Sequence, residues 1–142
     1  MIVQKLEVSE EKDVQIGCPR DILNLSISEY LKKQEQENFI VIALNANHSV
    51  TSARVITVGT VNKSLVHARE VFRYAIMENA SAVIICHNHP SGNCSPSPED
   101  LKVTDDLKKA GELLGITVLD HIIISKYEYF SFLENKNERF CR

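Results

Sequence analysis

The chain lacks the patterns that would place it in a membrane or in an oxidising compartment. Its first residues, MIVQKLE, include no apolar stretch long enough for a signal peptide, and no later run approaches a membrane span. Its four cysteines form neither a Cys-x-x-Cys pair nor the even ladder of short spacings typical of disulfide-rich secreted domains. We therefore expect a cytoplasmic protein with free thiols and no membrane partner.

Positive charge is also scarce, which bears on nucleic acid as a partner. The 16 Lys and Arg residues are outnumbered by 19 Asp and Glu residues, for a formal net charge of −3. The adjacent lysine pairs at 32–33 and 108–109 are isolated and typical of solvated helix faces. The chain has no helix-hairpin-helix glycine pattern and no basic residues interleaved with aromatic ones. Composition therefore does not indicate a polyanion partner held by bulk electrostatics.

Length and periodicity predict one α/β domain over residues 1–142, with residues 1–18 loosely held. The strand at 82–86 is almost wholly apolar, so we expect it at the centre of a mixed sheet of about five strands, with helices on the faces of the sheet. The predicted strands are 39–44, 50–58, 82–86, 116–124 and 127–133. The predicted helices are 19–31, broken near Ser26, then 68–79, and 98–114, which Gly115 stops.

The most specific pattern follows the central strand, in the segment HNHPSGNCSPSPED at 87–100. In an extended chain, residues two apart point to the same side, roughly 6.5–7 Å apart at Cα, so His87 and His89 can converge on one metal ion. Asp100 would supply a third ligand from the start of the next helix. Three protein ligands and an open fourth position for water are typical of a catalytic zinc site, so we expect one zinc ion per chain.

The same residues have plainer interpretations. The run from Ser97 to Asp100 is a good helix start, in which serine caps, proline takes the first position and acids fill the first turn. A helix start can cap and ligate at once, so the two interpretations do not exclude each other. Cys94, in the motif loop, is a soft ligand that two histidines and an aspartate make unnecessary.

The spacing His-x-His, seven residues, Ser, two residues, Asp resembles the zinc motif of the JAMM (also MPN or JAB) metallopeptidases. The likeness runs over about residues 37–132 and is similar to the RadC branch of that family, although Ala68 stands where the family commonly has proline. The N-terminal helical domain of full-length members has no counterpart in this sequence. The further matching blocks are GTVN at 59–62, VHAREVF at 66–72, AGELLGI at 110–116 and LDH at 119–121.

The resemblance implies an MPN/JAB fold, a mixed β-sheet flanked by helices that is related to the cytidine deaminases. It implies zinc-dependent hydrolysis of a peptide or isopeptide bond in a protein or peptide substrate. It also implies a general base just before the first strand, where local sequence allows both Glu35 and Glu37 to belong to a solvated helix end. The family's pattern selects Glu37, two residues before Phe39, and gives Ser97 the role of hydrogen-bond donor to the oxyanion.

Other functions fit the residues less well. The historical link of RadC proteins to DNA repair suggests a DNA-associated (repair or mobile-element) module without peptidase turnover, for which the charge pattern gives little support. The residues of HNH nucleases are dispersed through a ββα metal fold and are not a contiguous string. A zinc deaminase would need His-x-Glu followed by Pro-Cys-x-x-Cys, which the chain lacks. A metal-free binding domain would not need the complete ligand set.

Two further residues near the motif have open roles. His121 follows Asp120 in a predicted strand and is interpreted either as a satisfied core histidine or as a residue that orients a metal ligand. Asn88 lies between the two candidate ligands, and strand alternation predicts that it points away from them.

Overall fold

The structure is a computed structural model that describes residues 4–6, 13–58, 64–134 and 136–139. The expectation that residues 1–18 are loosely held falls in part on 1–3 and 7–12, and the GTVN block falls on 59–62; both lie outside the described residues. In chain order the elements are β1 (Gln4–Leu6), α1 (Pro19–Ile22), α2 (Ser26–Lys32), β2 (Asn38–Leu44), β3 (Val50–Val58), α3 (Ser64–Met77), β4 (Ala82–Asn88), α4 (Pro98–Leu114), β5 (Thr117–Ile124), β6 (Glu128–Ser131) and β7 (Lys136–Arg139).

One mixed sheet holds all of these strands, in the order β1-β3-β2-β4-β5-β6-β7. The five predicted strands are present as β2 to β6, and β1 and β7 are short additions at the two edges. The strand predicted to be central, β4, is the middle one, paired antiparallel with β2 and parallel with β5. The predicted α/β class and the mixed sheet flanked by helices are therefore confirmed.

Helices cover both faces of the sheet because β2 and β4 are apolar on both sides. Alternate residues of each strand point to opposite faces, so each strand contributes to two separate cores. The first core packs α1 and α2 against one face and contains Ile22, Leu25, Ile27, Leu31, Ile40, Ile42, Ile84 and Cys86. The second packs α3 and α4 against the other and contains Phe39, Val41, Val71, Phe72, Val83, Ile85, Val103 and Leu107.

The longest helix, α4, has the bounds that its sequence signals predict. Ser97 is the N-cap, and Gly115 ends the helix in the left-handed conformation (φ 75°), which favours glycine. Inside the helix, Gly111 lies against the carbonyl oxygen of Ile116, where a Cβ would come within 2.3 Å. This close contact between Gly111 and Ile116 lies where the chain turns tightly from α4 into β5.

A β-bulge in β5 changes which side chains face α4. Val83 of β4 is opposite Val118, but Ile84 is opposite Asp120, so Leu119 is the extra residue. A bulge of this kind places two successive residues against one partner and re-aims the side chains that follow it.

The directions of the side chains confirm that the bulge reverses the alternation of β5 between the two faces of the sheet. Before the bulge, even-numbered Val118 packs with α3 and α4, whereas beyond it even-numbered Ile122 and Ile124 pack with α1 and α2. Odd-numbered His121 therefore faces α4, where Thr104 contacts it. Without the extra residue, His121 would point to the opposite face of the sheet.

Candidate metal centre and its surroundings

The candidate site lies where β4 ends. This strand runs to Asn88, two residues beyond its predicted end, because both polar residues at its end find partners inside the protein. His87 points to the α4 face and is 2 % exposed, and Asn88 points to the α2 face and is also 2 % exposed. Asn88 thus points away from the histidine side, as predicted.

The side chains of His87, His89 and Asp100 form a group that can hold a metal ion, with one ligand atom from each and all three atoms within 4.8 Å of one another. The two Nε2 atoms of His87 and His89 are 3.1 Å apart. Asp100 Oδ1 lies 3.3 Å from His87 Nε2, and Asp100 Oδ2 lies 3.1 Å from His89 Nε2. Within the part of the chain that the structure describes, no second group of this kind is found.

These separations fit a small tetrahedral ion. Ligand atoms at about 2.0–2.1 Å from a tetrahedral centre are about 3.4 Å from one another, close to the three separations measured here. The imidazole nitrogens and the carboxylate are also the ligand types that zinc binds in catalytic sites. The residues present therefore suit a zinc ion.

Asp100 caps the helix and faces the histidines at the same time. Its Oδ2 accepts a hydrogen bond from Ser97 N at 2.9 Å, and its own N–H donates to Ser97 Oγ at 3.1 Å, which completes a capping box. Burial raises the pKa of Asp100, but the imidazoles of His87 and His89 beside the carboxylate outweigh burial and hold that pKa well below its ordinary value. The carboxylate is therefore ionised at neutral pH and available as a ligand.

His89 is held by the motif loop. Its Nδ1 lies 2.9 Å from the carbonyl oxygen of Asn93. A carbonyl can only accept, so Nδ1 carries a hydrogen and the Nε2 of the neutral ring presents a lone pair to the group. Burial lowers the pKa of His89, but the hydrogen bonds to Asp100 and Asn93 and the negative charges of Asp100 and Glu37 raise it overall. The surroundings of His89 thus favour positive charge at this point, which a proton or a metal ion can supply.

His121 lies directly behind His87. Its Nε2 is 2.8 Å from His87 Nδ1, and its Nδ1 is 2.6 Å from the hydroxyl of Thr104 on α4. Phe39 and Phe132 enclose the pair, with Phe39 stacked on His87 at 5.9 Å and Phe132 stacked on His121 at 4.6 Å between ring centroids. His121 is thus both buried, at 1 % exposure, and in contact with a candidate ligand, which combines the two roles considered for it.

The register of β2 against β4 relates Glu37 to the site. Phe39 is directly opposite His87 in this antiparallel pair, so continuing the register by two residues brings Glu37 opposite His89. Residues directly opposite each other in antiparallel strands point to the same face. Glu37 is half-buried and its charge acts on His89, whereas Glu35 is exposed.

Asn88 fixes the segment that carries Glu37. Its Oδ1 accepts a hydrogen bond from Asn38 N at 2.6 Å, and its Nδ2 donates to the carbonyl of Gln36 at 3.0 Å and to that of Gln34 at 3.4 Å. The end of β4 is therefore tied on one face to the candidate ligands and on the other to the 34–38 segment. Sequence reasoning gave Asn88 no role, because its partners are about 50 residues away in the chain.

Two other features surround the group. A cavity of about 640 Å³ adjoins His89 and Pro90 and extends along Gln34 and Glu35 to Lys126. Cys94 is fully buried in a small apolar cluster with Ile123 and Phe130, and burial raises the pKa of its thiol to about 12. The metal-binding group does not include Cys94.

No helix among the described residues is long and apolar enough to cross a bilayer. The predicted cytoplasmic location is not tested by this observation and stays a prediction.

Comparison with known proteins identifies the family. A model of the RadC-like JAB domain matches residues 16–138. A UPF0758 protein of Staphylococcus haemolyticus is 46% identical over 121 residues, which is 85% of this chain and 53% of that protein. A UPF0758 protein of Clostridium botulinum (strain Loch Maree / Type A3) is 46% identical over 122 residues, 86% of this chain and 53% of the relative.

An archaeal relative extends the match over nearly the whole chain. A UPF0758 protein of Methanosarcina barkeri is 41% identical over 142 residues, 99% of this chain and 60% of the relative. The chain thus spans somewhat over half the length of these curated relatives. Because the family model covers residues 16–138 and the fold carries the predicted histidine and aspartate group, the chain belongs to the RadC-like JAB domain family.

Proposed function

We propose that the protein is a zinc-dependent hydrolase of the JAMM metallopeptidase type, which cleaves a peptide or isopeptide bond. The observation that carries the proposal is the convergence of His87 Nε2, His89 Nε2 and Asp100 on one point, with separations of 3.1–3.3 Å. Three ligands that leave a fourth position open to water and substrate are typical of catalytic zinc sites, whereas structural sites use four.

Zinc in this position would supply an acidified water and polarise the substrate carbonyl. The chain must supply a base, and we assign that role to Glu37. The register of β2 against β4 supports this choice, because it brings Glu37 opposite His89 on the face of the ligands. Glu35 lies two residues further from β2 and is exposed.

Ser97 is proposed as the hydrogen-bond donor to the oxyanion of the tetrahedral intermediate. Its Oγ already accepts from Asp100 N at 3.1 Å, which leaves the single hydroxyl hydrogen to donate elsewhere. Ser97 is half-buried, and its neighbour in the capping box is a candidate ligand. A donor fixed by a helix N-cap is pre-oriented, as oxyanion stabilisation requires.

The cavity beside His89 is the proposed substrate site. It runs along Gln34 and Glu35 to Lys126 and adjoins His89, so a bound chain would reach the ligand group at His89. Its volume of about 640 Å³ is in the range of small-ligand and peptide side-chain sites. We propose a protein or peptide substrate on this basis.

Glu37→Gln tests the proposal by separating metal binding from catalysis. Glutamine keeps the size and can hydrogen-bond a water but cannot accept its proton, so zinc content should stay at the wild-type level. Turnover should fall at least about 10²-fold, the lower end for loss of a general base. The measurement is the count of new chain termini, by mass spectrometry, when zinc-loaded protein is incubated with a proteome-derived mixture of peptides and ubiquitin-like conjugates.

Glu35→Gln is the matched control, because Glu35 is a neighbouring glutamate on the same segment that does not face the ligands. It should leave zinc content unchanged and lower turnover far less than Glu37→Gln does, because Glu35 borders the proposed substrate cavity but does not face the ligands. Loss of turnover in Glu35→Gln with full turnover in Glu37→Gln would move the base by two residues. If neither change affects an active wild type, the proposed mechanism does not apply to this protein.

A further inference from the structure

The hydrogen bonds behind His87 form a continuous chain between two candidate ligands. Thr104 Oγ1 donates to the carbonyl oxygen of Asp100 at 2.8 Å, one helical turn earlier in α4. The same hydroxyl is 2.6 Å from His121 Nδ1, and His121 Nε2 is 2.8 Å from His87 Nδ1. Thr104 and His121 are 5 % and 1 % exposed, so bulk water does not compete for these bonds.

Counting hydrogens along this chain gives each ring its tautomer. Thr104 has one hydroxyl hydrogen, and it is used on the Asp100 carbonyl, so the hydroxyl can only accept from His121 Nδ1–H. A neutral His121 then has a lone pair on Nε2, which must accept from His87 Nδ1–H. The Nε2 of a neutral His87 is left with a lone pair, directed at His89 and Asp100.

The contact of His121 with Thr104 and His87 depends on the β-bulge in β5. The extra residue Leu119 in β5 rotates His121 onto the α4 face, where Thr104 and His87 lie. The phenyl rings of Phe39 and Phe132 close around His121, at 5.8 Å and 4.6 Å between centroids. Both ring nitrogens of this buried histidine are satisfied by groups of the candidate site, namely His87 and a residue of the helix that carries Asp100.

We infer that His121 and Thr104 are positioning residues, which hold His87 in the Nδ1–H tautomer so that its Nε2 is available to the metal. This inference rests on the proposed function for the metal, but the tautomer it assigns follows from the hydrogen-bond chain and can be measured without metal. Without the Thr104 hydroxyl, His121 can move its hydrogen to Nε2 and donate to His87 Nδ1. His87 would then carry its hydrogen on Nε2, and metal binding would have to displace it.

Thr104→Val and Thr104→Ser form the matched pair for a test. Valine has nearly the shape of threonine and lacks the hydroxyl, whereas serine keeps the hydroxyl and loses a methyl group. Zn²⁺ affinity, measured by competition with a chelator, should fall about 10-fold or more in Thr104→Val. This is the range found when a residue of the hydrogen-bond network that orients a metal ligand is removed. Thr104→Ser should bind Zn²⁺ as the wild type does. Equal affinity in wild type and Thr104→Val would overturn the inference.

A second measurement uses the wild type and does not depend on a variant that folds. In metal-free protein labelled with ¹⁵N at histidine, the NMR shifts of the ring nitrogens report the tautomer once the pH is above the ring titrations seen in the same spectra. We expect His87 with its hydrogen on Nδ1 in wild type and Thr104→Ser, and a population with hydrogen on Nε2 in Thr104→Val. A wild-type His87 with hydrogen on Nε2 would overturn the inference.

The two measurements distinguish failure of the inference from failure of the proposed function. If the wild type binds Zn²⁺ at this site but Thr104→Val binds it equally well, the positioning role is wrong and the proposed function stands. If the wild type binds no Zn²⁺, the proposed function fails, and the ring tautomer still decides whether His121 and Thr104 hold His87 as inferred.

Discussion

Two aspartates near the candidate site show how surroundings decide the charge of a buried residue. Burial raises the pKa of both Asp100 and Asp120. In Asp100 the neighbouring imidazoles of His87 and His89 outweigh burial and lower the pKa, whereas in Asp120 burial prevails and the pKa is raised. Ionised Asp100 thus stabilises the folded protein, whereas ionisation of Asp120 in the folded protein costs free energy.

Asp120→Asn tests the second half of that contrast. The folded-state pKa of Asp120 lies above its unfolded value, so between the two values the folded protein binds more protons and acidification stabilises it. Uncharged asparagine keeps an oxygen that can accept from His121 N and Leu133 N, and its Nδ2 can donate to Ser131 Oγ, which reverses the bond that this hydroxyl donates to Asp120. We therefore expect the free energy of unfolding of the wild type, relative to Asp120→Asn, to increase as pH falls below neutral.

The measurement is urea unfolding of both proteins over a series of pH values, because their difference cancels carboxylates that they share. A difference that stays constant, or that decreases on acidification, would show that Asp120 does not have a raised pKa.

Among single residues, the ligand group could be predicted from the sequence, but the contact of His121 that supports His87 could not. His87 lies at the end of a strand, His89 follows it by two residues and Asp100 begins the next helix, so the spacing and its resemblance to the JAMM motif predict the ligand group. The contact of His121 with His87 depends on the bulge at Leu119, which reverses the alternation of β5. No local pattern in the sequence indicates that extra residue, so His121 kept two interpretations until its position was known.

At the scale of elements, the site is assembled by the ends of β4 and α4. The bounds of α4 follow from its own sequence, through Ser97 and Pro98 at the start and Gly115 at the end. The start of α3 at Ser64, four residues before the predicted start, has no such signal, and no proline or glycine lies between 64 and 68 to prevent the helix from extending. The edge strands β1 and β7 are only three and four residues long and depend on pairing with β3 and β6, which local patterns do not reveal.

Asn88→Ala tests the tie between β4 and the segment that carries Glu37. The change leaves the N–H of Asn38, a residue only 1 % exposed, without its acceptor, which should cost about 1–3 kcal/mol of unfolding free energy. Amide hydrogen exchange in residues 34–38 should become faster, while zinc content should not change. Urea unfolding and exchange measured by mass spectrometry provide both readouts.

Asn45→Ala is a suitable control, because Asn45 also hydrogen-bonds to the backbone, accepting from Asn47 N and Ser49 N, but does so in the turn between β2 and β3, away from the site. It should leave exchange in residues 34–38 unchanged. Unaltered stability and exchange in Asn88→Ala would show that Asn88 does not hold this segment.

For the whole molecule, charge argues against a surface that grips nucleic acid. The formal net charge is −3, and several helix lysines are paired with acids one turn away on the same helix. The pairs are Lys32 with Glu29, Lys102 with Asp106 and Lys109 with Asp105, at 3.2, 3.3 and 3.0 Å. These cations are spread over two helices and partly neutralised, which weakens any attraction to phosphates.

We accordingly expect the dissociation constant of this chain for duplex DNA to exceed about 1 µM at about 150 mM salt. Such an affinity is no tighter than non-specific binding. Fluorescence anisotropy with a labelled duplex and with a single strand, each at several salt concentrations, is the measurement. Sub-micromolar affinity for either would favour the DNA-associated module over the hydrolase.

We propose that His87, His89 and Asp100 hold one zinc ion, and elemental analysis of the purified protein measures how much zinc each chain holds. His89→Ala is the test variant, and His48→Asn is the control, because His48 is an exposed histidine in a turn whose positive φ of 61° asparagine tolerates. We predict about one zinc per chain in the wild type and the control, and far less than one in a folded His89→Ala. A full equivalent of zinc retained in His89→Ala would contradict the account.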